Sequence, residues 1–367
     1  MNITELDNTT GILICGHGSR AKIAEEEFSL LAKGLKQQCP KLNVEYGFLE
    51  YSAPNIHMAL DKLVAQGITK IYAVPAMLFA ATHAKNDIPS VLTTYQKKHP
   101  GLSIEYGQEL GLHANMIRAY ETRILESLGY QETPTIGELY HTMLVCVGRG
   151  TSVTEANAEV AKLTRIVSEN LGFGWSETVY SGVTFPSVGR GLEMAVKLGF
   201  KKIVVAPYFL FGGRLIDRIY AYVDKVAQKN PDIVFLKTDY LRDQSHVINT
   251  FIERINNTVA GEHQSMSLMT DFQDRLTRGE VDVHHHNAEF QPHSHQPDCD
   301  HSHQHTHGHS HEHHHTPYKH IGHPHGPRTM INDNVCCCFM GQFPKEVIDQ
   351  EREFKAVLPG IPACKKP

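Results

Sequence analysis

The chain has 367 residues, 41% of them hydrophobic, and its 35 lysines and arginines against 40 aspartates and glutamates leave a formal charge of −5. That length is enough for two domains with cores of their own, while the charge balance offers no general basic field to nucleic acid. No stretch approaches the run of about 18 apolar residues that crosses a bilayer, and Met1 to Thr10 lack the charged and apolar regions of a secretory leader. Of the eight cysteines, Cys15 and Cys146 fall in apolar runs and Cys336, Cys337 and Cys338 are adjacent, a poor disulfide framework. A soluble cytoplasmic protein with reduced thiols is expected, with neither nucleic acid nor membrane among its partners.

The first patterned stretch runs from Gly11 through Ile12, Leu13, Ile14 and Cys15 to Gly16, His17 and Gly18. A short apolar run stopped by Gly-His-Gly reads as a buried parallel strand ending in a tight loop, which in an open α/β sheet is where ligands bind. Onward to about residue 128, strands near 11–16, 43–49, 70–78 and 102–106 alternate with helices near 21–37, 54–66, 85–98 and 113–128. Such alternation specifies a parallel sheet with helices on both faces. Residues 131–141 lack a period and read as a linker. Strands then recur near 142–148, 177–183, 202–208 and 232–237.

The recurrence keeps one register. Gly16-His17-Gly18 aligns with Gly148-Arg149-Gly150 at an offset of 149 − 17 = 132, and the same offset joins Pro54 to Pro186, Gly67 to Gly199 and Pro75 to Pro207. The expected architecture is therefore α/β: two tandem, flavodoxin-like, doubly wound parallel-sheet domains over 1–130 and 142–260, followed by a disordered tail. Residues 261–283 are polar and weakly helical. Between His284 and His325 lie 17 of the 25 histidines, many as His-x-His, a composition that cannot pack a core and suits low-specificity binding of transition-metal ions. The polar and histidine-rich region is taken as 261–325, and 326–367 as a cysteine-containing tail.

His83 follows the third strand as His17 follows the first, and in the strand order 2-1-3-4 those strands are neighbours flanking the switch-point crevice. Two imidazoles facing one cavity can bind a divalent transition metal or accept a proton near neutral pH. The second copy has Arg149 and Leu215 where the first has His17 and His83, so only the first can be the reactive half. Near the equivalent loops the second copy carries Arg149, Arg190, Arg214 and Arg218, which suit a ligand bearing carboxylates.

Taken together, the Gly-His-Gly-Ser loop, the spacing 83 − 17 = 66, the Phe-Leu-Glu50 strand end and the Pro-x-x-Leu-Phe-x-x-x-His83 loop resemble the class II tetrapyrrole chelatases, and among them the long CbiX-type sirohydrochlorin cobaltochelatases. The resemblance implies that His17 and His83 are the catalytic and metal-binding pair, that Glu50 is an auxiliary catalytic carboxylate, and that Ser19, Arg20, Arg149 and Arg214 contact the tetrapyrrole. It implies a metal that is substrate, Co²⁺ first with Fe²⁺ or Ni²⁺ as alternatives, inserted into sirohydrochlorin on a route to cobalamin, by a monomer that is an internal pseudo-dimer. Iron insertion toward sirohaem, or a non-catalytic metal store or metallochaperone, are the rival readings. Some long members carry an iron–sulfur motif of spaced cysteines; three adjacent thiols and a lone Cys364 depart from it, so redox-inert or adventitiously metal-binding thiols are expected ahead of a cluster, which stays the alternative.

Overall fold

The uninterrupted apolar run forms the central strand of a first sheet, β1 (Thr10–Gly16), with every residue buried. The computed structural model describes residue 3 and residues 6–261, 268–281, 283 and 346. In the first half, α1 (Lys22–Gln38), β2 (Asn43–Phe48), α2 (Ile56–Ala65), β3 (Lys70–Pro75), a π-helical turn (His83–Asp87), α3 (Ile88–Lys98), β4 (Ser103–Tyr106) and α4 (Ala114–Leu128) follow β1. The second half repeats the series as β5 (Thr142–Gly148), α5 (Thr154–Leu171), β6 (Trp175–Tyr180), α6 (Val188–Lys197), β7 (Lys202–Pro207), α7 (Arg214–Lys229), β8 (Val234–Lys237) and α8 (Ser245–Ala260), and α9 (Leu268–Thr277) comes last.

The sheets are parallel, with orders β2-β1-β3-β4 and β6-β5-β7-β8. Their registers match: Leu13 pairs with Ala73 and Val145 with Val205, each residue 132 beyond its counterpart. Backbone details repeat at the same offset, including cis peptides at Ala53-Pro54 and Phe185-Pro186 and a positive φ at Tyr51 and Val183. Both β3 and β7 end at a proline, short of the ends expected at 78 and 208, although the next residue of each still donates to the central strand, Ala76 N–H to the Cys15 carbonyl at 2.8 Å and Tyr208 N–H to the Val147 carbonyl at 2.9 Å.

Helix α1 shows how the layers join. Its buried residues Ala24, Glu27, Phe28, Leu31, Ala32 and Leu35 follow the three- and four-residue spacing of one helical face. That face belongs to a core shared by both halves, containing Ile12 and Ile14 of β1, Leu144 and Cys146 of β5, Tyr120 of α4 and Phe251 of α8. The last helix of each half crosses to the other sheet: α4 packs on β7 and β8, and α8 on β3. The Tyr120 hydroxyl donates to the Ala206 carbonyl at 2.6 Å, and Arg123 donates to the carbonyls of Tyr240 (2.8 Å) and Leu241 (3.2 Å). Arg254 reciprocates by donating to the Leu110 carbonyl at 2.8 Å. Separate cores on the outer faces lie beneath α2 and α3 in the first half and α6 and α7 in the second.

Two further elements differ from the sequence reading in kind rather than in their ends. The helix expected over 85–98 opens instead with the π-helical turn. The polar stretch 261–283 contains α9, which packs on the first half with Phe272 wholly buried and Leu268 and Val281 nearly so. The histidine tract and Cys336, Cys337, Cys338 and Cys364 lie outside the described residues. Among the described residues, no helix is long and apolar enough to cross a membrane.

Candidate metal centre

The loop after β1 is closed by backbone contacts to the end of β2. The Leu49 N–H donates to the Gly16 carbonyl at 2.8 Å and the Glu50 N–H to the His17 carbonyl at 3.0 Å, so His17 and Glu50 are placed by one pair of strands. Gly18 turns the chain with φ +91°, and a Cβ there would lie 1.7 Å from the Glu50 carbonyl oxygen, so only glycine fits. The second half uses the same device at Gly150 (φ +79°) against the carbonyl of Gly182. The left-handed Tyr51 likewise has its equivalent in Val183, which makes that backbone feature part of the fold rather than of the chemistry.

His83 reaches the same point from the loop after β3. Its Nε2 lies 3.0 Å from Nε2 of His17, with the rings edge-on at 88°, and Oε1 of Glu50 lies 3.5 Å from His17 Nε2. Among the described residues these three form the one cluster whose ligand atoms all fall within 4.8 Å of one another. The outward ring nitrogens have their own partners: His17 Nδ1 faces the Gly18 carbonyl at 3.0 Å, and His83 Nδ1 faces Oδ2 of Asp87 at 2.5 Å. A carbonyl and a carboxylate can only accept, so each Nδ1 is assigned a proton and each Nε2 is left facing the other ring. The two Nε2 atoms then converge, an arrangement satisfied by a proton shared between them or by a cation bound to both. Metal–imidazole bonds of about 2.0–2.1 Å place two adjacent ligand nitrogens about 2.9–3.4 Å apart, a range that includes the observed separation.

The electrostatics keep this donor set ready. Burial pushes the His17 imidazole down to about 3, aided by His83 and by the Arg149 guanidinium, so His17 is neutral at physiological pH. Burial raises the Glu50 carboxyl above its ordinary range, with His83 opposing and Asp87 assisting the shift. The side chains of His17, His83 and Glu50 nevertheless stay 28%, 35% and 35% exposed, so they line an open cleft that a ligand can enter.

The second half contributes Arg149. Crowding by protein lowers its pKa, with Glu50 opposing and Arg218 assisting, which sets its charge against Glu50 and His17 across the cleft even though the residue remains open to solvent. Its loop is tied down by Ser181, whose hydroxyl donates to the Arg149 carbonyl at 3.0 Å and whose carbonyl accepts from Arg218 at 2.8 Å. Arg214 begins α7 in an exposed position, next to Gly213, whose Cβ position would be 3.3 Å from the Ala21 methyl of the first half. Arg190 pairs with Glu193 at 3.0 Å. Arg20 is exposed with its guanidinium 4.8 Å from the Tyr51 ring centroid, and that ring in turn stacks 6.2 Å from His17. The Ser19 hydroxyl accepts from the Ala21 N–H at 3.1 Å, and the Ser19 backbone is clasped by Ser52 Oγ through two 2.9 Å bonds, so Ser19 shapes the loop. Sequence reasoning missed Asp87, although His83 and Asp87 are four apart on a helical pattern, the spacing at which side chains meet.

Two parallel-sheet repeats sharing one paired-imidazole cleft define a duplicated α/β protein able to hold a divalent cation. The chain belongs to the CbiX family, whose model matches residues 11–127 and again 143–258. It is 34% identical over 252 residues to the sirohydrochlorin cobaltochelatase of Priestia megaterium, a match covering 68% of this chain and 80% of that one. The sirohydrochlorin ferrochelatase of Bacillus subtilis is 28% identical over 250 residues, covering 68% and 92% respectively. Among solved structures, SirB from Bacillus subtilis with Fe³⁺ superimposes with a TM-score of 0.61 at 28% identity, and the sirohydrochlorin chelatase SirB from Bacillus subtilis subspecies spizizenii in complex with cobalt with 0.58 at 26%. Each covers 69% of this chain and 96% of its own.

Proposed function

We propose that this chain inserts Co²⁺ into sirohydrochlorin, with His17 and His83 as the metal-handling pair and Glu50 as proton acceptor. The observation that carries the reading is the 3.0 Å approach of His17 Nε2 and His83 Nε2 beside a carboxylate whose pKa is raised. Insertion exchanges one M²⁺ for two pyrrole N–H protons, so a base and a metal donor must work at the same face of the macrocycle. Glu50 takes one proton. The second goes to the imidazole that the departing metal vacates, and the depressed pKa of His17 favours its release to solvent. Arg149, with Arg214 and Arg20 at the cleft's edges, supplies positive charge for the carboxylates on the substrate's rim.

Cobalt is favoured by the 34% identical relative, which is named for that metal. Iron is the second reading, supported by the ferrochelatase of Bacillus subtilis and by the SirB structure with Fe³⁺. In this reading 1–130 and 142–260 act as two chelatase-like domains of one monomer, and the histidine tract binds transition-metal ions in reserve. Anaerobic incubation with sirohydrochlorin and equal Co²⁺, Fe²⁺ and Ni²⁺, followed by product masses, tests the assignment. A cobalt product in excess supports it, an iron product in excess replaces cobalt with iron, and an unchanged tetrapyrrole spectrum with bound metal points to a store.

A further inference from the structure

Helix α9 lies beyond both matched repeats, the second of which ends at residue 258, yet it docks on the element that carries His83. At its centre is Arg275, only 7% exposed. The Arg275 guanidinium donates from Nη1 to Oδ1 of Asn86 at 2.7 Å and from Nη2 to the carbonyl of Lys85 at 2.8 Å, while Nε donates to Asp271 of its own helix at 2.9 Å. Lys85 and Asn86 lie between His83 and Asp87, inside the π-helical turn. Gln273 adds a bond to Thr93 Oγ1 of α3 at 3.1 Å.

The turn needs outside support for a reason legible in the chain. A single π turn is a rare segment, found mostly as a one-turn bulge in an α-helix. Pro89 stands four residues after Lys85 and has no N–H, so the Lys85 carbonyl cannot receive the i+4 bond of an ordinary α-helix. Arg275 donates to that carbonyl from the side, tying the turn to α9. In the second half the position of Pro89 is Ala221 (89 + 132 = 221), α7 starts as an ordinary α-helix, and Leu215 replaces His83. The unusual turn, its proline and its brace thus occur together only in the half with the imidazoles.

We infer that Arg275 is a positioning residue for metal insertion: through Asn86 and Lys85 it fixes the π-helical turn, so that His83 stays hydrogen-bonded to Asp87 and aimed at His17. The inference rests on the functional reading above. It makes the reactive half dependent on residues 268–281, outside either repeat.

The test uses the full chain with Arg275→Met, which keeps the apolar stem, and Arg275→Lys, which keeps the charge and one bond. Metal insertion is measured together with hydrogen exchange of the segment 82–90. For Arg275→Met we expect kcat to fall by about 10- to 100-fold with KM for sirohydrochlorin within about twofold, since misplacing a reacting group costs rate rather than binding. Faster exchange in 82–90, with the β1 and β5 segments unchanged, should accompany it, and Arg275→Lys should recover part of both. Wild-type kcat in Arg275→Met, or a loss that follows only the fraction of folded protein, overturns the inference. If wild type inserts no metal, the functional reading fails by itself, and the exchange data still decide whether Arg275 braces the turn.

Discussion

His17 and Arg149 occupy the same position in the two repeats, and across the cleft the guanidinium of one helps hold the imidazole of the other neutral. One strand–loop–helix design thus presents an imidazole from one side and a fixed positive charge from the other. In the proposed reading that pairing separates two jobs, handling a cation and holding an anionic ring, which a symmetric pair of histidines would mix.

If Arg149 holds the substrate rim, Arg149→Ala should raise KM for the tetrapyrrole more than it lowers kcat. A charge-assisted contact is worth on the order of 1–3 kcal/mol, and the open setting of Arg149 points to the lower end. Steady-state kinetics with sirohydrochlorin varied would show this, and an unchanged KM would assign Arg149 to another role.

Removing either imidazole should cost turnover rather than stability. His17→Ala and His83→Ala are each expected to lower kcat by at least about 100-fold, and the double variant by little more than the worse single one, because two ligands of one ion act as a unit. Melting temperatures serve as the control. Independent, multiplicative losses would show that the two histidines do different things.

Neutral His17 leaves a mark on stability. Its folded pKa of about 3 lies below the ordinary unfolded value of about 6.5, so the unfolded chain takes up a proton first as the pH falls. The stability involved is complete above about pH 6.5 and is lost progressively as pH falls toward 3. Between pH 7 and 5 the wild type should lose on the order of 1–2 kcal/mol that His17→Gln does not lose. Urea unfolding of both proteins at the two pH values measures the difference, and equal slopes would mean that His17 is not held neutral.

Asp87 orients His83 and fixes its tautomer. Asp87→Leu should therefore weaken metal handling by about 10- to 100-fold, read as a rise in KM for Co²⁺, with Asp87→Asn milder because its amide oxygen still accepts from Nδ1. Equal effects from both substitutions would shift the explanation from orientation to charge.

Ending the chain after residue 283 should leave kcat at saturating Co²⁺ unchanged while reducing the number of bound ions measured by equilibrium dialysis. Ending it after residue 262 also deletes α9 and should lower kcat. The same kcat for both shortened chains would make α9 dispensable.

Much of this was legible in the sequence. The apolar run before His17 and the 132-residue register specify the sheets and the duplication, and the strand order that follows brings His17 and His83 to one crevice. The rest depended on tertiary choices that periodicity does not encode. Helices α4 and α8 have the same apolar stripe whichever sheet they cover, so their exchange could not be read. α9 offers only Leu268, Phe272 and a buried arginine whose partners lie 189 and 190 residues away. The π-helical turn follows from Pro89 together with that distant arginine, and Asp87 gains its role only once the turn has formed.

The crossing of α4 and α8 has a consequence for how the protein is lost and how it changes over time. With each sheet roofed by the other's final helix, neither half retains an intact core when its neighbour melts, so unfolding should be a single cooperative event across both. In the proposed reading the loops of the second half need keep only the arginines that face the substrate, while its sheet and its last helix remain indispensable to the half that carries His17 and His83. A repeat in that position can trade imidazoles for arginines, but it cannot be discarded.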